Sequence, residues 1–495
     1  MIGNIRRAFA ASSWRFKSGI VLAIAFVTGS VLRFFRLGSR ELSIDESLSW
    51  AAASAPTMSE LFSVQTRVDS GKLAVHEIAL RVWMQIFGDS EAAMRALSAV
   101  IGSISIVLVF ILAREIVSSM NSKSSDRDCD HQESNARNER GARMIPALSA
   151  LVFAVGLSVV EIAREARMYS MMLALIIAQA IFMLRAKRKG GLANYAGFSI
   201  FTALAVATNF TALLVLASEA LWLGYLSLMS WRKTRRPSLA FVWRMAAAIV
   251  FAMLLLTPFF SGLLNGVVGM QRGDFDWIRP PGRWEPFATF ESGIGTWPFA
   301  VFVIFSIAGA VRLWKTSRDE AVLALLWIWI PPIALLVGSY FFFPMLVTRY
   351  VIASFVPLFV LTAVGVASMP WRGAVALAML AIVGLSIGRD WSELRPGDDR
   401  WRQASAVALA HAGRDRRIGA CHDFYLVSYY LPAQERGSVQ VIRVPTRGPA
   451  EKDPLVVIVS PTVAKPRVDE LRREYPEVDG KYKNILVLSR PPAVN

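Results

Sequence analysis

Cysteine is nearly absent from this 495-residue chain, which has two, Cys129 and Cys421. The topology argued below puts them on opposite faces of a membrane, so they cannot pair within one chain and no disulfide framework holds the fold. Charge is scarce too, at 18% of positions against 54% hydrophobic. That balance excludes a soluble multidomain protein and makes the bilayer the solvent. Acidic residues are the scarcer sign, 37 against 54 Lys and Arg. The resulting formal charge of +17 falls mostly in gaps between apolar stretches, so it reads as topogenic charge and not as a nucleic-acid surface. A signal-peptide cleavage pattern is also lacking. The first apolar stretch runs into Arg33-Phe34-Phe35-Arg36, which predicts a retained anchor.

What is present is length in the apolar runs. A span needs about 20 apolar residues, and eleven stretches are candidates: 19–35, 95–113, 145–162, 168–184, 193–208, 211–229, 242–261, 296–311, 321–340, 350–368 and 373–388. The fold class expected is a polytopic α-helical membrane protein with about eleven spans and a small C-terminal α/β domain outside the membrane. Lys and Arg mark every second gap: Arg6, Arg7, Arg15 and Lys17; Arg114, Arg137, Arg140 and Arg143; Arg185, Lys187, Arg188 and Lys189; Arg232, Lys233, Arg235 and Arg236; Arg312, Lys315 and Arg318; Arg372. Short cytoplasmic loops hold such an excess, so these gaps and the N-terminus are expected in the cytoplasm. An odd number of spans then sends 389–495 outside.

The module 1–388 carries three long interruptions. Residues 118–143 have almost no apolar side chain and predict a disordered cytoplasmic insertion, in which Cys129 and His131 are too few for a metal site. Residues 36–94 form a first outer loop. In it Val75, Ala79, Val82, Trp83 and Ile86 recur at helical spacing, which predicts an amphipathic helix on the membrane surface or against the bundle. A second outer loop, 262–295, contains GDFDWIRPPGRWEP, whose prolines and tryptophans suit an interface. Beyond 389, the runs RIGACHD, VQVIRV, PLVVIVSP and KNILVLSR alternate with helical segments near 400–413 and 465–474. They predict an α/β domain without a Gly-rich phosphate loop, suited to binding or support.

Few residues offer chemistry. Asp45 and Glu46, in LSIDESLSW, pair two carboxylates at the outer end of span one, where one of them can serve as a base or both can simply begin a helix. EIAREARMYS sets Glu161 and Glu165 one helical turn apart, with Arg164 and Arg167 beside them. Spacing does not separate an ion-paired hairpin from a cavity wall that binds an anionic head group through Arg167. Arg349, at the start of span ten, either snorkels or offers its planar fork to phosphate. Lys72 and His76 share the polar side of the amphipathic segment with Asp69, which reads either as a solvated face or as ligand groups. Glu219 lies mid-span and is expected to be neutral, bundle-facing or paired.

In this order the landmarks resemble the GT-C class of glycosyltransferases, which use polyprenyl-phosphate-linked sugars. The likeness is to the branch with protein O-mannosyltransferases, the lipid A aminoarabinose transferase and rhizobial lipopolysaccharide galacturonosyltransferases. It covers roughly residues 20–370. Asp45-Glu46 matches the acidic motif of the first outer loop, and GKLAVHEIALRVWMQIFGDSEAAMRALSAVIG the amphipathic segment and second span. EARMYS at 165–170 matches a Gln-Glu-Ala-Arg-Met-Tyr type signature, TNFTALLVLASE at 208–219 the next outer hairpin, WIRPP at 277–281 the later loop, and RYVIASFVPL at 349–358 the late span. Two departures stand out: Lys72-Leu73-Ala74 where relatives have His-Pro-Pro or Lys-Pro-Pro, and Arg164 in place of the usual glutamine.

The resemblance implies a bacterial inner-membrane enzyme performing an inverting transfer from a polyprenyl-phosphate sugar to an envelope lipid, polysaccharide or protein. Asp45, with Glu46, would supply the catalytic base. Lys72, His76, Glu165, Arg167, Tyr169 and Arg349 would bind substrate. Some relatives use a divalent metal, though no ligand cluster in the sequence demands that cofactor. The alternatives are a lipid-linked sugar flippase, for which Glu219 speaks, and a non-catalytic envelope assembly subunit, for which the C-terminal domain speaks.

Overall fold

The computed structural model of the chain describes residues 2–69, 71–124, 132–234, 240–259, 278–369, 371–393, 401–412, 416–421, 423–436, 438–444, 454, 456–460, 463, 465–482 and 485–490. It divides into two compact units. Met1–Phe35, Asp69–Ala79 and Arg95–Leu394 form the first, and Arg36–Val68, Leu80–Met94 and Arg395–Asn495 the second.

In chain order the first helices are α1 (Ile2–Phe34), α2 (Ile44–Ala53), α3 (Met58–Val68), α4 (Val75–Phe87), α5 (Glu91–Ser124), α6 (Gln132–Ala154) and α7 (Leu157–Ile162). Then come α8 (Tyr169–Lys189), α9 (Leu192–Thr208), α10 (Ala212–Thr234), α11 (Ala240–Leu255), α12 (Glu285–Ile294), α13 (Thr296–Thr316), α14 (Arg318–Phe341), α15 (Phe355–Val366) and α16 (Arg372–Glu393). Among the described residues, six segments are long and apolar enough to cross a membrane: Phe16–Phe34, Glu91–Met120, Tyr169–Lys189, Ala212–Arg232, Thr296–Thr316 and Arg318–Phe341. The other five expected stretches form shorter apolar helices, Ala142–Ala154, Leu192–Thr208, Ala240–Leu255, Ile352–Val366 and Gly373–Gly388. The chain is therefore a multi-pass membrane protein.

Local chemistry accounts for part of the shortening. The stretch 145–162 is broken at Gly156, whose extended backbone (φ −68°, ψ 122°) separates α6 from α7. A Cβ there would lie 2.7 Å from the Phe359 ring. The stretch 350–368 opens with two 3-10 turns, Thr348–Tyr350 and Ile352–Ser354, before α15 begins with Pro357 in its first turn, where a missing N–H breaks no helical bond. The polar tract 118–143 is less irregular than its composition predicts. Helix α5 continues to Ser124 and α6 starts at Gln132, because a helix already nucleated on an apolar run adds a bond for each further residue. Cys129 and His131 lie outside the described residues.

Close packing in the first unit rests on a glycine seam. A Cβ at Gly309 of α13 would sit 1.9 Å from the Leu361 carbonyl oxygen, and one at Gly365 of α15 1.9 Å from that of Phe305. Small residues let two helices approach this far where lipid supplies no hydrophobic drive. Beside the seam Phe359 meets Phe302, Phe355 and Phe153 at centroid distances of 5.7, 6.0 and 6.2 Å. The basic last turn of α8 is neutralised by ion pairs. Arg185 and Arg188 bind Glu115 of α5, and Lys187 binds Asp319 and Glu320 of α14.

The second unit contains α17 (Trp401–His411), β1 (Arg417–Cys421), α18 (Phe424–Tyr430), β2 (Gln440–Arg443), β3 (Val456–Val459), α19 (Lys465–Glu474), β4 (Glu477–Tyr482) and β5 (Ile485–Ser489). Its sheet has the order β2-β1-β3-β5-β4. Strand β1 runs parallel to β2 and β3, and β5 antiparallel to β3 and β4. All four predicted β runs are strands, but β4 is missed, since EVDGKY has the polar, bulged pattern of an edge. Residues 36–68 and 80–94 belong to the same compact unit as the C-terminal residues. The Glu41 carboxylate accepts the N–H groups of Trp401 and Arg402, Tyr430 Oη accepts Leu42 N–H at 2.7 Å, and Arg436 binds Asp89 at 2.7 Å.

Gly365→Ala is expected to destabilise the protein by about 1–3 kcal/mol through overpacking, read as a lower Tm in a fixed detergent. Gly384→Ala, with nothing within 4 Å of its Cβ, should be neutral or gain up to about 1 kcal/mol. Equal Tm values for both variants and wild type would refute the seam.

Candidate functional site

Within the first unit, segments far apart in sequence meet around Lys72. The backbone places it first: Leu73 N–H donates to the Ala207 carbonyl at 2.9 Å, and Phe210 N–H to the Gly71 carbonyl at 3.2 Å. Residues 71–73 are thereby tied to the turn between α9 and α10. That turn has its own local cause in Asn209, whose Oδ1 accepts from Thr211 N–H at 2.9 Å and Thr211 Oγ1 at 2.6 Å, a short side chain imitating a backbone turn.

From this anchor Lys72 Nζ reaches Glu77 Oε1 at 2.6 Å, Asp69 Oδ2 at 3.3 Å and Met168 Sδ at 3.5 Å. Asp69 Oδ2 also accepts from Arg167 Nη2 at 2.8 Å, and His76 Nδ1 lies 3.2 Å from Glu77 Oε1. Lys72, His76, Glu77 and Arg167 are all buried, and the Asp69 side chain keeps 20% exposure. The reading of Lys72 and His76 as a solvated face is overturned, because Lys72, just before α4, and His76 in its first turn are both buried, while Val82 and Ile86 further along α4 keep 52% and 67% exposure. A buried charge persists only when paired. Glu77, which sequence reasoning did not single out, supplies that pairing. Its signal was an acid at the polar edge of an otherwise apolar helix, five residues after a lysine.

Arg167 and Tyr169 arrive from the turn between α7 and α8, which also separates Glu161 from Glu165. Helix α7 ends at Ile162 and α8 starts at Tyr169, so the two acids do not share a continuous helix. Ser98 Oγ donates to the Arg167 carbonyl and Ser170 Oγ to that of Ile162, each at 3.1 Å. Arg164 turns away from Lys72. Its Nη1 donates to the carbonyls of Leu32, Arg33 and Phe35 at 3.0, 3.2 and 2.7 Å, capping the C-terminus of α1, where the last carbonyls of a helix otherwise lack partners. Tyr169 is buried, within electrostatic reach of Arg167, Arg349, Tyr350 and Asp69. The structure thus joins Lys72, His76 and Arg167 through Asp69 and Glu77, and sets Tyr169 within electrostatic reach of Arg167 and Arg349. Glu165 stands in the α7–α8 turn, where its carbonyl accepts Arg167 N–H. Glu219 faces the bundle and accepts from Gln179 Nε2.

Asp45 and Glu46 belong to the second unit, in the first turn of α2. Ser43 caps that helix: its Oγ accepts from Glu46 N–H at 3.2 Å, and Glu46 Oε2 accepts from Ser43 N–H at 2.8 Å. Glu46 is buried in this reciprocal box, and Asp45, one position earlier, is half-buried. Asp69 and Glu77 both converge on the Lys72 ammonium, which stands where a divalent ion shared by these two acids would have to sit. Among the described residues no three His, Cys, Asp or Glu side chains form a metal cluster.

Three groups here titrate in one sense. For Asp69, burial alone would raise the carboxyl, but Lys72 and Arg167 hold it below the usual range. Burial likewise opposes ionisation of Glu77, and Lys72 with the His76 bond outweighs it. Burial lowers His76, only partly offset by Glu77. A depressed folded value means that the unfolded chain binds more protons, so this stability is present above the unfolded value and lost as pH falls. His76, ordinarily near 6.5, goes first. The Tm should fall between about pH 7.5 and about pH 5, and His76→Gln should shrink that fall. An undiminished fall in the variant would acquit His76.

No family model matches the sequence, and no curated protein does. Solved structures do match. ArnT from Cupriavidus metallidurans bound to undecaprenyl phosphate superposes with a TM-score of 0.62 at 14% identity, over 96% of this chain and 98% of that one. Its apo state gives 0.60 at 13%, over 98% and 100%. The Archaeoglobus fulgidus oligosaccharyltransferase, tethered to an acceptor peptide, gives 0.51 at 12%, over 87% of this chain and 64% of that one. At such identities the likeness is one of fold alone.

Proposed function

We propose that the protein is an integral-membrane inverting glycosyltransferase that moves a sugar from a polyprenyl-phosphate donor to an extracytoplasmic envelope acceptor. The observation that carries this reading is the convergence of Lys72, Arg167, Tyr169 and Arg349, from three distant segments, in the fold of a transferase crystallised with undecaprenyl phosphate. Fold alone would not suffice, because folds host many activities. In this reading the chain has eleven spans in a bacterial inner membrane, the N-terminus is cytoplasmic, and the C-terminal residues are periplasmic.

The chemistry follows from the charges. The acceptor hydroxyl oxygen attacks the anomeric carbon as its proton passes to a carboxylate, for which Asp45 is the candidate. The bond from that carbon to the phosphate oxygen breaks, and its electron pair stays on the phosphate. Lys72, Arg167 and Arg349 are the cations available to stabilise that growing charge, Arg through its planar fork. Glu46 is engaged in capping α2, so the base in this reading is Asp45. The acceptor is a lipid, polysaccharide or protein of the envelope, and the second unit is the candidate for recognising it.

The test is mass spectrometry of envelope glycans and glycolipids from a deletion strain complemented with wild type, Asp45→Asn or Lys72→Met at matched membrane levels. A species lost by a fixed hexose, pentose or uronic-acid mass should return with wild type only. Lys72→Met should lower transfer by about 100-fold. Return of the species with Asp45→Asn would remove Asp45 as base, and return with every variant would remove transferase chemistry from this site.

A further inference from the structure

Lys72 and Arg167 already share an anion. One carboxylate oxygen, Asp69 Oδ2, lies 2.8 Å from Arg167 Nη2 and 3.3 Å from Lys72 Nζ, at the point where the two donors converge. With Asp69 and Glu77 ionised and His76 neutral, the two cations and two carboxylates cancel. While Asp69 Oδ2 stands between these two donors, a phosphate oxygen reaches that seat only by displacing it.

The two acids are not equivalent. Glu77 is 0% exposed and bonded to both Lys72 and His76, so removing it would strand a buried ammonium. Asp69 is 20% exposed, and Lys72 keeps its 2.6 Å bond to Glu77 whether or not Asp69 is beside it. Asp69 is the anion that can be exchanged.

We infer that the Asp69 carboxylate is a built-in place-holder for phosphate, occupying the seat between Lys72 Nζ and Arg167 Nη2 that a ligand phosphate oxygen takes on binding. This rests on the lipid-phosphate reading of the same site. Exchange of one acid oxygen for another keeps both cations paired throughout, so neither is left buried and bare between turnovers. It also weights the two lipid species differently. A sugar-linked phosphodiester carries one negative charge and the phosphate monoester left after transfer close to two, so a nearby Asp69 opposes the product more than the donor and favours its release.

The test measures binding of undecaprenyl phosphate, and of inorganic phosphate as a second probe, to the full chain in nanodiscs. Asp69→Asn, and independently Asp69→Ser, should tighten undecaprenyl phosphate by about tenfold, and adding Lys72→Met should abolish the gain. The same gain with inorganic phosphate would assign a seat for the phosphate alone, and a gain with the lipid only would assign a lipid phosphate. Unchanged or weaker binding in both Asp69 variants, with wild-type binding still dependent on Lys72, overturns the place-holder and leaves the lipid-phosphate reading standing. Absence of binding in wild type and variants alike overturns both. In wild type itself, undecaprenyl phosphate should shift a carboxylate band in the infrared difference spectrum that Asp69→Asn lacks. No such band would also overturn the inference.

Discussion

An ammonium group buried in an apolar bundle has to be paired on every side that water would otherwise cover, and Lys72 sets that requirement for its surroundings. Glu77 meets it at 2.6 Å and Asp69 at 3.3 Å. Each partner brings a further demand, His76 on Glu77 and Arg167 on Asp69. Removing one member of such a pair costs several kcal/mol, because the survivor is left charged in a poor solvent. The segment Asp69–Ala79 is consequently part of the first unit, pinned by backbone bonds to the α9–α10 turn. The ion pairs and the backbone bonds thus hold the same segment, and a substitution at Lys72 or Glu77 disturbs its placement as well as its charge.

The parts of this fold legible in the sequence are those governed by length and period. Apolar runs marked every helix of the first unit that is long enough to span. Four alternating or continuous β runs marked four of the five strands. Helix ends were not legible, because they depend on contacts made in three dimensions. Gly156 breaks a helix where a Cβ would meet Phe359, and no local pattern announces that ring. Composition likewise did not show that α5 continues to Ser124, with an apolar run behind it. The division into units was hidden for a similar reason, because Glu41, Asp89 and Glu91 find partners more than 300 positions away at Trp401, Arg436 and Arg402.

Around Lys72, the helix could be read from the sequence and the burial of its charged residues could not. Spacing correctly predicted the helix α4, with His76 in its first turn and Lys72 just before it, but amphipathicity carries no sign. It says that two faces differ and not which one is inside. In a soluble protein the apolar face would be the buried one. Here Val82 and Ile86 are exposed while His76 and Glu77 are buried, as the bilayer permits when charges can be matched within the protein. Arg164 shows the complementary limit: it stands in the motif beside Arg167, yet its guanidinium closes the end of α1. Neighbouring arginines in one signature thus serve unrelated ends.

The acidic pair of the first loop divides its labour in the same way, and the division follows from helix geometry. Ser43 is the N-cap, so Asp45 and Glu46 are the second and third residues of α2. Only the third can fold back to the N-cap N–H, which is why the box takes Glu46. Consecutive helical side chains point about 100° apart, so fixing Glu46 inward fixes the direction in which Asp45 leaves the helix. Exchanging the two residues would not exchange their roles, because an aspartate at the third position is one methylene shorter in its reach to the N-cap. The cap therefore sets the direction of Asp45 through the helix itself, and the order of the two acids, with the capping glutamate at the third position, is the one the box requires.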